Sequence, residues 1–201
     1  MIAGERSLTY GELDRAADRL AAGLRGLGVE RGDRVAVVLP NDLEMPIAIY
    51  GTLRAGGAFS PVNPTTTASK LKLILADVDA KAVLCVADRR DAIEATTAAP
   101  VIDEIAGLGR SGDAVPSGAA KIVDSDLASV IYTSGSTGEP KGVTLTHRNM
   151  SFVADSIVEY LGMRTDERIL CALQLSFGYG LYQLLTCVRT GSTLVLEPGL
   201  G

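Results

Sequence analysis

Residues Thr9 to Leu39 read TYGELDRAADRLAAGLRGLGVERGDRVAVVL. Leu13, Ala16, Ala17, Leu20, Leu24 and Leu27 recur at helical spacing, which predicts one amphipathic helix. Thr9 and Glu12 are placed as a capping box at its start, and Gly28 as its stop. After the turn Arg31-Gly32-Asp33, Val35 to Leu39 form a short run without a polar residue, as expected of a strand buried on both faces. A helix leading into a doubly buried strand implies an α/β fold.

The same alternation continues outward. Pro46 confines a second helix to a start near Asp42 to Met45; it ends near Gly56, and Ala58 to Val62 reads as the next strand before Asn63-Pro64. Thr65 to Thr67 cap a third helix bearing Leu71, Ile74 and Leu75. Ala82 to Val86 reads as a strand, Asp88 to Ala98 as a helix and Val101-Ile102 as a strand, and such alternation predicts a mostly parallel sheet. From Glu104 to Asp126 the periodicity gives way to Gly, Ser, Ala and Pro. The expected division is a first α/β subdomain over residues 1–105, a linker or surface loop over 106–126, and the start of a second α/β subdomain over 127–201. In that last part Leu127 to Tyr132, Val143 to Leu145, Arg168 to Leu173 and Thr193 to Leu196 are expected strands. Thr133 to Gly142 is expected as a loop, and Arg148 to Leu161 and Tyr179 to Val188 as helices.

Composition narrows the function. With 201 residues, 47% apolar and 21% charged, the chain can bury a sizeable core and is not a disordered segment. A net charge of -5 repels phosphate backbones, so no nucleic-acid partner is expected, although a local loop can still hold one nucleotide. No apolar run approaches the ~18 residues of a membrane span and no cationic, then apolar, leader opens the chain, so a cytoplasmic location is expected. Cys85, Cys171 and Cys187 are odd in number and far apart, which suits reduced buried thiols, and the single histidine, His147, builds no metal site with them.

Two glycine-rich stretches invite a phosphate. Gly107 to Gly112 fits GxGxxG, with Asp126 nineteen residues beyond Gly107, but no helix signal follows, so a flexible loop competes with a dinucleotide site. Thr133 to Gly142, TSGSTGEPKG, sets four hydroxyls beside three glycines and a lysine, directly after an apolar strand. Glycines let successive N–H groups converge on an anion, hydroxyls add donors or reach magnesium, and Lys141 supplies charge. The Walker A pattern is not met, because Pro140 precedes the lysine and Gly142 follows it. The competing reading is a Ser/Gly hairpin with an exposed lysine.

Tyr132 to Val143, YTSGSTGEPKGV, resembles without a mismatch the phosphate-loop signature of the adenylate-forming enzymes. That family includes acyl-CoA and aryl-CoA synthetases, luciferases and peptide-synthetase adenylation domains. Leu8 to Leu13, Leu53 to Pro64 and Leu175 to Gly180 are similar to its other N-terminal landmarks, in the same order. The resemblance implies layered helix/sheet subdomains of the family's N-terminal lobe. It also implies a two-step reaction using ATP and Mg2+: a carboxylic acid becomes acyl-AMP, and coenzyme A or a carrier pantetheine then takes the acyl group. A carboxylate of pKa ~4 to 5 is already ionised at pH 7, so the first step requires positioning and charge neutralisation rather than a general base.

By position, the resemblance assigns phosphate contact to Thr133, Ser134, Gly135, Ser136, Thr137, Gly138 and Lys141. It places Phe177, Tyr179 and Gly180 at the acyl pocket, with a core Phe at a helix entrance as the competing reading, and gives His147 a structural role. Gln174 stands where the family usually has proline, and Gly178 where amino-acid-activating members carry the aspartate that pairs with the substrate ammonium. A buried ammonium without a carboxylate is costly, so a fatty, aryl or other amine-free acid is expected. The family is well over twice this length. The motif whose Glu helps hold magnesium, the ribose-binding Asp, the hinge and the lobe with the catalytic lysine do not occur by Gly201. The expectation is therefore a truncated lobe, completed by a missing C-terminal portion or covered by a partner; the alternative is a non-catalytic nucleotide-binding or interaction module. The purified 201-residue chain is expected to show no ATP–pyrophosphate exchange with any carboxylic acid, and measurable exchange contradicts the truncation reading.

Overall fold

The computed structural model describes residues 1–105, 121–134 and 140–197. In chain order the elements are β1 (Ile2–Ala3), β2 (Arg6–Ser7), α1 (Tyr10–Gly26), β3 (Arg34–Val38), α2 (Glu44–Ala55), β4 (Ala58–Pro61), α3 (Ala68–Asp77) and β5 (Ala80–Cys85). They continue as α4 (Arg90–Glu94), β6 (Val101–Ile102), β7 (Leu127–Ser134), β8 (Pro140–Thr146), α5 (His147–Leu161), β9 (Arg168–Cys171), α6 (Gly178–Thr190) and β10 (Thr193–Leu196). The expected α/β class is the one observed.

The first helix forms as its sequence dictates. Thr9 N donates to Glu12 Oε2 at 2.8 Å and Glu12 N donates to Thr9 Oγ1 at 3.2 Å, closing the capping box. Leu13, Ala17, Leu20, Ala21 and Leu24 are its buried stripe. Gly28 and Gly56 take φ of +83° and +91° where α1 and α2 end, a conformation that a Cβ resists. At the crossing of these helices a Cβ on Gly51 would stand 2.6 Å from Leu20 Cδ2, so the close approach depends on that glycine.

Two sheets result, one of six strands in the order β6-β5-β3-β4-β7-β8 and one of four in the order β2-β1-β10-β9. The pairs β3/β4, β3/β5, β4/β7 and β5/β6 are parallel, and only β7/β8 runs antiparallel in the larger sheet. Its central strand is apolar on both faces because it serves two cores: Val35 and Val37 join the core containing α1, α2 and α6, while Ala36 and Val38 join the one under α3. Both sheets draw strands from either side of residues 106–126, so the two expected segments share their sheets.

Some elements differ from expectation for local reasons. The helix expected over Asp88 to Ala98 is a 3-10 turn at Ala87–Arg89 and then α4, ending at Glu94. There Thr96 Oγ1 donates to Ile93 O at 2.8 Å, and Pro100 follows closely. The β1/β2 hairpin, two residues per strand around Gly4 at φ +56°, is too short to carry a period of two and was not expected.

Buried side chains stitch the layers. Ser60 Oγ donates to Val130 O at 2.9 Å and Ser129 Oγ to Phe59 O at 3.0 Å, a reciprocal pair between β4 and β7. Asn41, in the β3–α2 connection, is buried. Its Nδ2 donates to Leu173 O at 2.8 Å and to Glu197 O at 3.3 Å, and its Oδ1 accepts from Leu175 N at 2.8 Å. Replacing Asn41 with Ala leaves these groups unsatisfied and is expected to lower unfolding free energy by about 2–4 kcal/mol in a denaturant titration. Asn41→Asp should recover stability as pH falls through the carboxylate range, because only the protonated acid can donate to Leu173 O.

Candidate nucleotide and acyl site

Of the candidate phosphate-loop residues, Thr133 and Ser134 end β7 and Lys141 lies near the start of β8. Thr133 pairs with Lys141 and Ser134 with Pro140, so the strands extend into both ends of the stretch expected as a loop. Cross-strand partners share a face, which puts the Thr133 hydroxyl and the Lys141 ammonium on the same side of the ribbon. Both residues are exposed. Gly135, Ser136, Thr137 and Gly138 lie outside the described residues, and Ser134 is described only as a strand position. The Gly107 to Gly112 motif is likewise outside them. Its candidate acid, Asp126, is held by Arg31 through bonds of 2.6 Å and 2.8 Å, which engage both carboxylate oxygens.

Packing explains the glycine after the lysine. A Cβ on Gly142 would stand 2.9 Å from Val130 Cγ1 and 3.3 Å from Tyr132 Cζ, its strand partner's ring. With no side chain there, the Tyr132 ring crosses the ribbon and its hydroxyl donates to Asp77 Oδ2 at 2.6 Å. Burial, and then the neighbouring carboxylate, raise the tyrosine's pKa. The bond ties the last residue of α3 to the strand that feeds the loop.

The acyl-pocket candidates separate into two groups. Phe177, the N-cap position of α6, is 51% exposed, and Tyr179 is 85% exposed. Phe177, Gly178 and Tyr179 line an open groove of about 1050 Å³, walled by Val153, Ile157 and Leu161 of α5 and by Ile169 of β9. Gly180 is not part of that lining: it is buried, and a Cβ there would stand 2.4 Å from Gln174 O. It seats the β9–α6 connection instead. Gln174 fits without the family's proline, because its Oε1 accepts from Asn63 Nδ2 at 2.6 Å.

A small cavity of about 60 Å³ brings Thr133 and Phe177 together at the C-terminal ends of β4 and β7, with Asn63, Lys70, Tyr132 and Ser176 among its walls. Sequence reading missed Asn41, Asn63 and Lys70. The Asn63-Pro64 turn is the only signal for any of them, and it marks a turn rather than a site.

His147 is the first residue of α5 and lines neither space. Thr146 caps that helix, with Asn149 N donating to Thr146 Oγ1 at 3.2 Å, and His147 N donates to Asp126 O at 3.1 Å. Cys85, Cys171 and Cys187 are free and buried, and burial pushes the Cys85 and Cys171 thiols up to about 11. Among the described residues there is no group of three or more His, Cys, Asp and Glu that could hold a metal, and no helix long and apolar enough to cross a membrane.

A fold of this kind with this hairpin is shared with known enzymes. The family model for AMP-binding enzyme matches residues 1–200, and the chain belongs to that family. It is 35% identical over 194 residues to a probable non-canonical nonribosomal peptide synthetase, CymA, of Salinispora arenicola, covering 96% of this chain and 2% of that protein. It matches the structure of VinN with 3-methylaspartate at a TM-score of 0.90 and 34% identity, over 98% of this chain and 56% of the other. Against o-succinylbenzoate CoA synthetase (MenE) from Bacillus subtilis in complex with the acyl-adenylate intermediate OSB-AMP, the TM-score is 0.87 and the identity 29%. That match covers 99% of this chain and 52% of the enzyme, so the chain spans about half the length of these structures.

Burial lowers the pKa of His147, with Asp126 and Asp124 opposing the shift. The unfolded chain therefore binds the proton more readily than the folded one. This contribution to stability is complete above the ordinary histidine pKa and is lost as pH falls through it towards the folded value. His147→Gln should flatten the pH dependence of the thermal midpoint across that range. A second check on the site's frame is Gly180→Ala, which should destabilise the chain measurably, because the new methyl meets backbone rather than a movable side chain.

Proposed function

We propose that this chain carries the phosphate-loop part of an enzyme that uses ATP to activate an amine-free carboxylic acid as its acyl-adenylate. The acyl group is then passed to a thiol, either coenzyme A or the pantetheine of a carrier protein. One observation carries the reading: Thr133, beside the loop, and Phe177, on the apolar groove, line one cavity at the ends of β4 and β7. An acid lying in the groove would thus present its carboxylate towards the loop.

The chemistry suits such a place. The carboxylate oxygen forms a bond to the α-phosphorus as the bond to pyrophosphate breaks, and the thiol later displaces AMP from the acyl carbon. The first step needs two anions held together, and backbone N–H groups, hydroxyls and Lys141 supply the neutralisation. Thr133, Ser134, Gly135, Ser136, Thr137, Gly138 and Lys141 are the proposed phosphate contacts. Magnesium, a hard cation, fits as an ion carried by the nucleotide's phosphates with loop hydroxyls nearby, and when bound it neutralises phosphate charge.

The groove supports an amine-free acid. Gly178 offers no carboxylate at the position where amino-acid-activating members carry one, and Glu167, the one acidic residue among the groove's described walls, has one oxygen accepting from Arg164 N at 3.1 Å. The match to a nonribosomal peptide synthetase supports a carrier thiol, and the likeness to a CoA synthetase supports coenzyme A. Exposed Tyr160, Leu161 and Leu170 near the groove support its being covered by the rest of a longer chain or by a partner.

Binding can be read on the chain itself. Ligand-observed NMR titration with magnesium ATP should give an affinity about tenfold weaker for Lys141→Ala than for wild type, the value of one charge-assisted contact. Equal affinities remove Lys141 from the site. With ATP present, an amine-free acid should bind more tightly than the α-amino acid of the same skeleton, and the reverse order overturns the substrate assignment.

A further inference from the structure

Resting on the adenylation reading, we propose that Lys70 is a second cationic contact of the site, holding an anionic oxygen where the phosphate loop meets the acyl groove. Lys70 is exposed on the first turn of α3 and, among the described residues, is the only charged one lining the small cavity that also contains Thr133 and Phe177. Its ammonium has no hydrogen-bond or ion-pair partner among the described residues. The other polar groups of that cavity, from Asn63, Thr66, Thr133 and Ser176, are neutral.

The position of Lys70 is fixed by the fold. Lys70, Ile74 and Asp77 follow one another at intervals of four and three along α3 and so share one face. Asp77 is bound to Tyr132 of β7, and Ile74 lines the same cavity as Lys70. The helix is therefore registered against the strand that leads into the loop. Behind it, Arg89 Nη2 donates to Thr66 O at 3.0 Å and adds a second positive group to that end of the helix.

Lys141 and Lys70 approach from different sides. Tyr132 and Gly142 form the cross-strand pair that looks to α3, and Thr133 and Lys141, one residue along, look to the opposite face. The two ammonium groups thus belong to separate elements, and Lys70 is the one that lines the cavity at the strand ends. This arrangement suits a reaction in which a carboxylate must approach a phosphate against mutual repulsion.

The same ligand-observed titrations test the proposal with Lys70→Gln, Lys70→Arg and Lys141→Gln. Magnesium ATP is one arm, and octanoate with a non-hydrolysable ATP analogue present is the other. Lys70→Gln should weaken one ligand about tenfold, Lys70→Arg should recover most of it, and added salt should narrow the gap. Loss in the ATP arm assigns Lys70 to phosphate, and loss confined to octanoate assigns it to the carboxylate. If Lys70→Gln binds both like wild type while Lys141→Gln is impaired, Lys70 has no such role and the adenylation reading stands. No ATP binding by wild type overturns both. Thermal midpoints should be unchanged for both Lys70 variants, and unfolding of Lys70→Gln would contradict an unpartnered lysine.

Discussion

The reciprocal serine bonds between β4 and β7 are the constraint on which the site depends. These strands are neighbours in the sheet although some seventy residues separate Ser60 from Val130. Their backbone register is brief, with Phe59 opposite Ser129. Each buried hydroxyl donates to a carbonyl of the opposite strand, which satisfies both side chains and one acceptor on each backbone. A serine here does what a longer ladder would otherwise do. Because β7 ends in the phosphate loop and β4 ends at Asn63, this stitch decides where the loop stands relative to the rest of the site.

Asn41 performs the corresponding task between the two sheets. An asparagine matches the two carbonyls and one N–H that converge there, whereas an aspartate lacks the donors and a leucine lacks both functions. The connection it grips runs directly into Phe177, and Gly180 lets that connection settle on α6. Next to it, Thr65 N donates to Asn63 Oδ1 at 2.8 Å, which fixes the Asn63 amide and turns its Nδ2 to Gln174. The orientation of the Phe177 side of the cavity is thus inherited from backbone groups that cannot be reassigned.

Much of this was legible in the sequence, and the exceptions have a common cause. Helices and strands with a full period, such as α1 with its capping box and the doubly buried β3, announce themselves through apolar spacing and caps. The hydroxyl- and glycine-rich stretch is recognisable by composition, although β7 and β8 extend into both its ends. The β1/β2 hairpin was silent because two-residue strands carry no pattern, and Asn41, Ser60 and Ser129 were silent because a buried polar residue is defined by partners far away in sequence. Gly180 sat inside a recognisable motif, yet its role is packing, since one residue's position in a motif does not say which way it faces. Strand-to-strand adjacency across residues 106–126 was illegible for the same reason: propensity is local and sheet order is not.

Under the proposed function, an acidic chain has to present a site for anions. Much of the acidic excess is committed to arginines: Asp42 and Glu44 to Arg6, Asp126 to Arg31, Asp79 to Arg34, Asp14 and Asp18 to Arg54, Asp103 to Arg90, and Asp155 to Arg189. The planar guanidinium suits these forked pairings, and several of them tie elements distant in sequence. Asp77, at the end of α3, accepts a neutral phenol from the loop strand instead. Lys70 and Lys141 take no part in those pairings. A net charge of -5 therefore describes the far field, whereas the cavity at the ends of β4 and β7 has Lys70 and neutral polar groups among its described walls. The division follows from side-chain chemistry: the forked guanidinium of arginine suits structural pairings, where geometry matters, and under the proposed function the compact mobile charge of lysine would suit an oxygen that changes partners.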